Sequence, residues 1–107
     1  MVEDAEFNRL VDEVFNRIEN DIDALQADID VNISGNILYI EFLDQSEIII
    51  SRQTSSHEIW IAAKSGGYRL STGSAQEWCC TSSKEDLPTL LSRLITEQSG
   101  FEVKILN

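Results

Sequence analysis

A chain of 107 residues, 42% apolar and 25% charged, holds material for one hydrophobic core, too little for two and too much for a disordered tail. Nineteen acidic residues against eight basic ones give a formal charge of −11, which repels nucleic acid and anionic lipid and attracts cations and basic protein surfaces. No apolar run approaches the roughly 18 residues of a membrane span, and the acidic start Met1-Val2-Glu3-Asp4 has no signal-peptide character, so a cytoplasmic protein with a single domain over residues 1–107 is expected.

The first predicted element is an amphipathic helix. Phe7, Val11, Val14, Ile18, Ile22 and Leu25 recur at spacings of three and four, with Leu10 and Phe15 at the edges of the stripe. Asp4 is the expected N-cap. Residues 1–30 carry ten acids and two bases, so most of the net charge lies here. At about 100° per residue, Asp12, Glu19 and Asp23 fall within about 40° of one another, on one flank of the apolar stripe.

A series of short strands follows. Ile29–Ile33 alternates cleanly and turns at Ser34-Gly35-Asn36 into Ile37–Leu43. Asp44-Gln45-Ser46 leads to Glu47–Gln53, Thr54-Ser55-Ser56 to His57–Ala63, Ser65-Gly66-Gly67 to Tyr68–Ser71, and Thr72-Gly73-Ser74 to Gln76–Cys80. Connections this short imply an antiparallel meander. A second helix is predicted with Ser82 or Ser83 as cap, Glu85 and Asp86 in its first turn and Pro88 near its start. Its stripe is Leu87, Leu90, Leu91, Leu94 and Ile95, and Gly100 ends it. Phe101–Ile105 reads as a last short strand or an extended tail.

These elements fit an α+β, two-layer sandwich, with two helices on one face of an antiparallel sheet of five or six strands and the other face open. If Ile48, Ile50, Ile59 and Ile61 point inward, then Ile49, Ser51, Gln53, Trp60 and Ala62 point outward. An outward Trp beside Gln and small residues suits a protein interface.

Chemistry-bearing residues are few. Cys79 and Cys80 are adjacent, which suits neither a disulfide framework nor a metal knuckle, and two reduced thiols are expected, one buried and one nearer solvent. The single His57 reads as a surface histidine. No nucleophile motif and no phosphate-cradling loop argues for an enzyme. Carboxylates at helical spacing on a solvated flank can share a hydrated cation, with modest affinity and poor selectivity.

Ser51-Arg52-Gln53, His57-Glu58-Ile59-Trp60-Ile61-Ala62, Gly66-Gly67-Tyr68 and Glu77-Trp78 together resemble the signature of the bacterial frataxin family. The opening Glu6-Phe7-Asn8-Arg9-Leu10 is similar too. The resemblance implies the same two-layer sandwich and an accessory role in iron–sulfur cluster assembly. It implies weak binding of Fe2+ or Fe3+ at an acidic ridge, with other di- or trivalent cations able to substitute, and a monomer in the absence of metal. Its implied partners are the cysteine desulfurase and the scaffold protein, with no nucleic acid and no membrane. Carried over by position, the metal-binding residues are Asp4, Asp12, Glu19 and Asp23, with Glu41 and Asp44 as additions from the sheet edge. The partner-binding residues are Arg52, Gln53 and Trp60. Ser51 stands where the family commonly has Asn, and Asn20 and Ala24 stand where further acids are typical. An acidic interaction module with incidental cation binding and a weak ferroxidase are the alternative readings.

The crowding of ten acids against two bases in residues 1–30 predicts that low ionic strength lowers the melting temperature and that millimolar divalent cations raise it. Thermal melts across salt and divalent-cation series check this, and a melting temperature indifferent to both would refute it.

Overall fold

Spacings of three and four in the first segment become α1 (Asp4–Leu25), in a computed structural model that describes residues 3–72 and 77–106. The buried face of α1 is Phe7, Leu10, Val11, Phe15, Ile18 and Ile22, while Val14 and Leu25 are only half-buried. The stripe is thus turned toward Leu10 and Phe15 relative to expectation. A 3.6-residue repeat leaves both margins equally regular, and covering Phe15 removes more apolar area from water than covering Val14. Glu3, not Asp4, holds the N-cap position and makes no side-chain cap bond, and the Asp4 carboxylate is turned toward His57 instead.

Six strands follow: β1 (Ile29–Ser34), β2 (Ile37–Phe42), β3 (Glu47–Gln53), β4 (Glu58–Ala63), β5 (Gly66–Thr72) and β6 (Trp78–Cys80). Each pairs antiparallel with the next, so spatial order equals chain order, as the short connections required. Two boundaries differ from expectation. Gly66 and Gly67 are not a turn but the start of β5, opposite Ala63 and Ala62, and the chain reverses at Lys64 and Ser65. His57 is not in β4 but in the preceding turn, with a left-handed φ of 54°. The turn expected at Gly73 and Ser74 and the strand start at Gln76 lie outside the described residues.

Leu38, Ile40, Ile48, Ile50, Ile59, Ile61 and Leu70 line one face of the sheet and are shut off from solvent, and both helices cover that face. α2 (Leu87–Ser99) contributes Leu87, Leu90, Leu91, Leu94 and Ile95 to the same core. Its cap is Asp86, whose carboxylate accepts from the Thr89 amide at 2.9 Å, rather than Ser82 or Ser83. Glu85 lies before the helix and receives two bonds from Arg93 at 2.8 and 3.0 Å. Gly100, at φ 84°, closes the far end by donating to the Thr96 carbonyl.

The segment after Gly100 takes the extended-tail alternative. Val103, Ile105 and Leu106 are buried without joining the sheet. Their backbone is satisfied by side chains instead. The Thr96 hydroxyl accepts from the Val103 amide and donates to its carbonyl, and Ser92 does the same for Ile105. The Leu106 amide donates to Asp21 on α1 at 2.8 Å.

Two substitutions in α2 separate capping from packing. Asp86→Ala is expected to cost about 1 kcal/mol of stability, and Leu90→Ala about 2–5 kcal/mol, because Leu90 has no solvent exposure. Urea denaturation of both variants measures the difference, and equal losses would contradict it.

Candidate functional site

Asp12, Glu19 and Asp23 lie along the solvent side of α1, Asp12 and Asp23 exposed and Glu19 half-buried. The sheet engages the N-terminal half of this row. Asp12 accepts from the Arg52 guanidinium at 2.5 Å, and Asp4 lies 2.6 Å from the His57 ring nitrogen. The His57 ring also stacks on Phe7, with centroids 5.1 Å apart. Arg9 bridges Glu6 and Glu13, and its hydrogen bond holds the Glu6 carboxyl below the usual carboxylate range. Neither Glu19 nor Asp23 is ion-paired with a described residue. The flank therefore has an occupied upper end and an open lower end.

Strand pairing adds acids that sequence spacing could not group. Asp30 stands opposite Glu41 across β1 and β2, and Glu41 stands opposite Glu47 across β2 and β3. Their inward neighbours Ile29, Ile40 and Ile48 are buried, so the three carboxylates share the open face, where like charges in register repel. Asn32 donates to Glu41 at 3.5 Å, a weak offset. Asp44 sits apart in the β2–β3 turn, where it accepts from the amide and hydroxyl of Ser46, and these bonds hold its carboxyl below the usual value. Among the described residues no three His, Cys, Asp or Glu side chains converge as a metal centre would require. The carboxylates suit loosely held, hydrated cations, not a closed coordination shell.

Trp60 occupies the open face as alternation demands, opposite Ser51 on one side and Arg69 on the other. The Arg69 guanidinium lies 4.4 Å over its ring, and its indole N–H donates to Glu58 at 2.9 Å. Ile49, Ser51, Ala62 and Arg69 line a shallow groove of about 360 Å³ around it. Gln53 lies on the same side and donates to Ser51 at 3.2 Å. Arg52, grouped with Gln53 and Trp60 by sequence, faces the helices instead. It is 12% exposed, bonds Asn8 at 3.0 Å as well as Asp12, and rests 5.5 Å over the Phe15 ring.

Cys79 is exposed and Cys80 buried, as expected of adjacent residues in a strand. Burial pushes the Cys80 thiol up, but hydrogen bonding with Ser82 and Ser83 outweighs it and brings the thiol down to about 7. No helix among the described residues is long and apolar enough to cross a membrane.

Together these features define an acidic α+β sandwich that offers two open surfaces of different chemistry, a carboxylate flank and an aromatic sheet face. Residues 1–101 match the model of the frataxin-like domain, and the chain belongs to the frataxin-like family. It is 42% identical over 100 residues to a protein of Photobacterium profundum, covering 94% of each chain. It is 47% identical over 90 residues to one of Vibrio cholerae, covering 84% of this chain and 86% of that one. Both relatives are named iron–sulfur cluster assembly protein CyaY. The solved structure of the frataxin of Psychromonas ingrahamii superposes with a TM-score of 0.90 over 99% of this chain and all of that one, at 30% identity.

The position of Arg52 makes it a stabilising residue. Arg52→Ala is expected to cost about 2 kcal/mol, since it removes a largely buried guanidinium together with its bonds to Asn8 and Asp12. Thermal and urea melts measure this. Unchanged stability would place the weight of Arg52 at the surface instead.

Proposed function

We propose that this chain serves in iron–sulfur cluster assembly as an accessory protein that binds Fe2+ or Fe3+ weakly on its acidic flank and docks on a cysteine desulfurase and a scaffold protein. The observation that carries this reading is the open lower end of the α1 flank, where Glu19 and Asp23 have no basic partner among the described residues. A cation there keeps most of its water, which fits a metal that is delivered or sensed, not one retained. The names of the Photobacterium and Vibrio relatives support the setting.

Docking on a partner draws on both surfaces. Charge on the flank acts over about a Debye length, roughly 8 Å at physiological salt, so it governs encounter. Trp60 supplies apolar area at short range and governs dissociation. A second reading, an acidic interaction module with incidental cation binding, draws on Asp4 and Asp12, whose pairing with His57 and Arg52 leaves them less available to a metal.

Titration of the labelled protein with iron and with calcium in separate NMR series distinguishes the two readings. Iron-specific broadening centred on Glu19 and Asp23 is the expected result, and an equal, diffuse response to either cation would favour the interaction module. For docking, surface plasmon resonance on the desulfurase–scaffold complex should show Trp60→Ala weakening binding by about 1–3 kcal/mol with little change in melting temperature. Glu19→Lys with Asp23→Lys should slow association and flatten its salt dependence. A Trp60→Ala variant that binds as well as the unaltered protein would remove the sheet face from the interface.

A further inference from the structure

A third surface lies at the end of the molecule where the β2–β3 turn meets the C-terminus of α2. Leu43 is 78% exposed and Phe101 46% exposed, and both line one groove of about 330 Å³. A single exposed leucine is ordinary in a folded protein. Two large apolar side chains lining one groove, each on backbone that is fixed in place, are not. The Leu43 wall is held by the Asp44 carboxylate, which accepts from the amide and hydroxyl of Ser46, and by paired backbone bonds between Phe42 and the turn. The Phe101 wall is held by left-handed Gly100 and by reciprocal bonds between Phe101 and the Ser99 hydroxyl. Gln98 ties the walls together by donating to the Ser46 hydroxyl at 3.0 Å and to the Glu47 carbonyl at 3.3 Å.

The charge around the groove is of one sign. Asp28, Asp44 and Glu97 line it, and no basic residue does. Two of these acids touch bases outside the groove, Asp44 with Lys64 at 3.5 Å and Glu97 with Arg93 at 3.2 Å. Both contacts are solvent-exposed and contribute little. Arg93 is also committed to Glu85 through two shorter bonds, so Glu97 can exchange partners at small cost. An apolar slot rimmed by carboxylates is complementary to an apolar side chain flanked by cations.

We propose that this groove docks a basic, amphipathic segment of a partner protein, seating one apolar side chain between Leu43 and Phe101 while Asp28, Asp44 and Glu97 receive the flanking cations. The site is separate from the α1 flank and from the Trp60 face, and it shares only Asp44 with the residues the resemblance assigns to metal.

A labelled peptide with one central leucine flanked by arginines is the probe. In NMR it should shift the amides of Leu43, Gly100 and Phe101 in the unaltered protein. Replacing its leucine by serine should weaken binding about tenfold, the loss expected when one buried apolar anchor is removed. Replacing its arginines by aspartates should abolish binding. Leu43→Ser with Phe101→Ser in the protein should reproduce the tenfold loss while the melt stays cooperative, because Leu43 is exposed and Phe101 is half-covered at the edge of the core. The proposal is overturned if the shifts fall on α1 or the Trp60 face, or if the serine peptide binds as tightly as the leucine peptide. It is equally overturned if sedimentation shows self-association that the double-serine variant loses, since the groove would then seat a second copy of this chain.

Discussion

Ile50 stands directly opposite Ile61 across β3 and β4, and neither has meaningful contact with solvent. Successive side chains in a strand point to opposite faces, so this one pair assigns every other residue of the two central strands. Arg52 must share the side of Ile50, and there it finds Asn8, Asp12 and the Phe15 ring on α1. Trp60 must take the other side, where no helix covers it. A slip of one residue in β4 would bury Trp60 and Ala62 and expose Ile59 and Ile61, so the register is strongly specified by burial alone. The aromatic face and the anchoring of α1 are two results of the same pairing.

The same logic separates what the sequence discloses from what it conceals. Element type and order follow from periodicity, and all six strands and both helices were legible in this way, as was the outward aim of Trp60. Boundaries were less so. Gly66-Gly67 has turn composition, yet pairing with Ala62 and Ala63 holds both glycines in β5. Ser82 and Ser83 are good caps in isolation, yet Asp86 stands at the spacing that reaches the Thr89 amide. The acid row on α1 was visible from helical geometry, but its partners were not, because His57 and Arg52 lie 53 and 40 residues away in the chain. Asp30, Glu41 and Glu47 form a row only once three strands are in register. The resemblance groups Arg52 with Gln53 and Trp60, whereas adjacency in a strand puts Arg52 on the face opposite Gln53.

Charge in this protein is consequently graded along α1. Its first turns are stitched to the sheet by Asp4 with His57 and Asp12 with Arg52, with Phe7 packed between the His57 ring and the edge of Trp78. Its later turns carry carboxylates without such partners. The later half is fastened through Asp21, which accepts from the Leu106 amide, while Glu19 and Asp23 remain open to solution.

The bond from the Leu106 amide to Asp21 joins residues 85 positions apart. It sets an order on biosynthesis. α1 is made before the strands that cover its apolar stripe. The stretch that fastens α1 to the backbone beside α2 is made last of all the described residues. Until Leu106 has been synthesised, α1 lacks this contact, so the packing of the described residues closes only once their last member has been made.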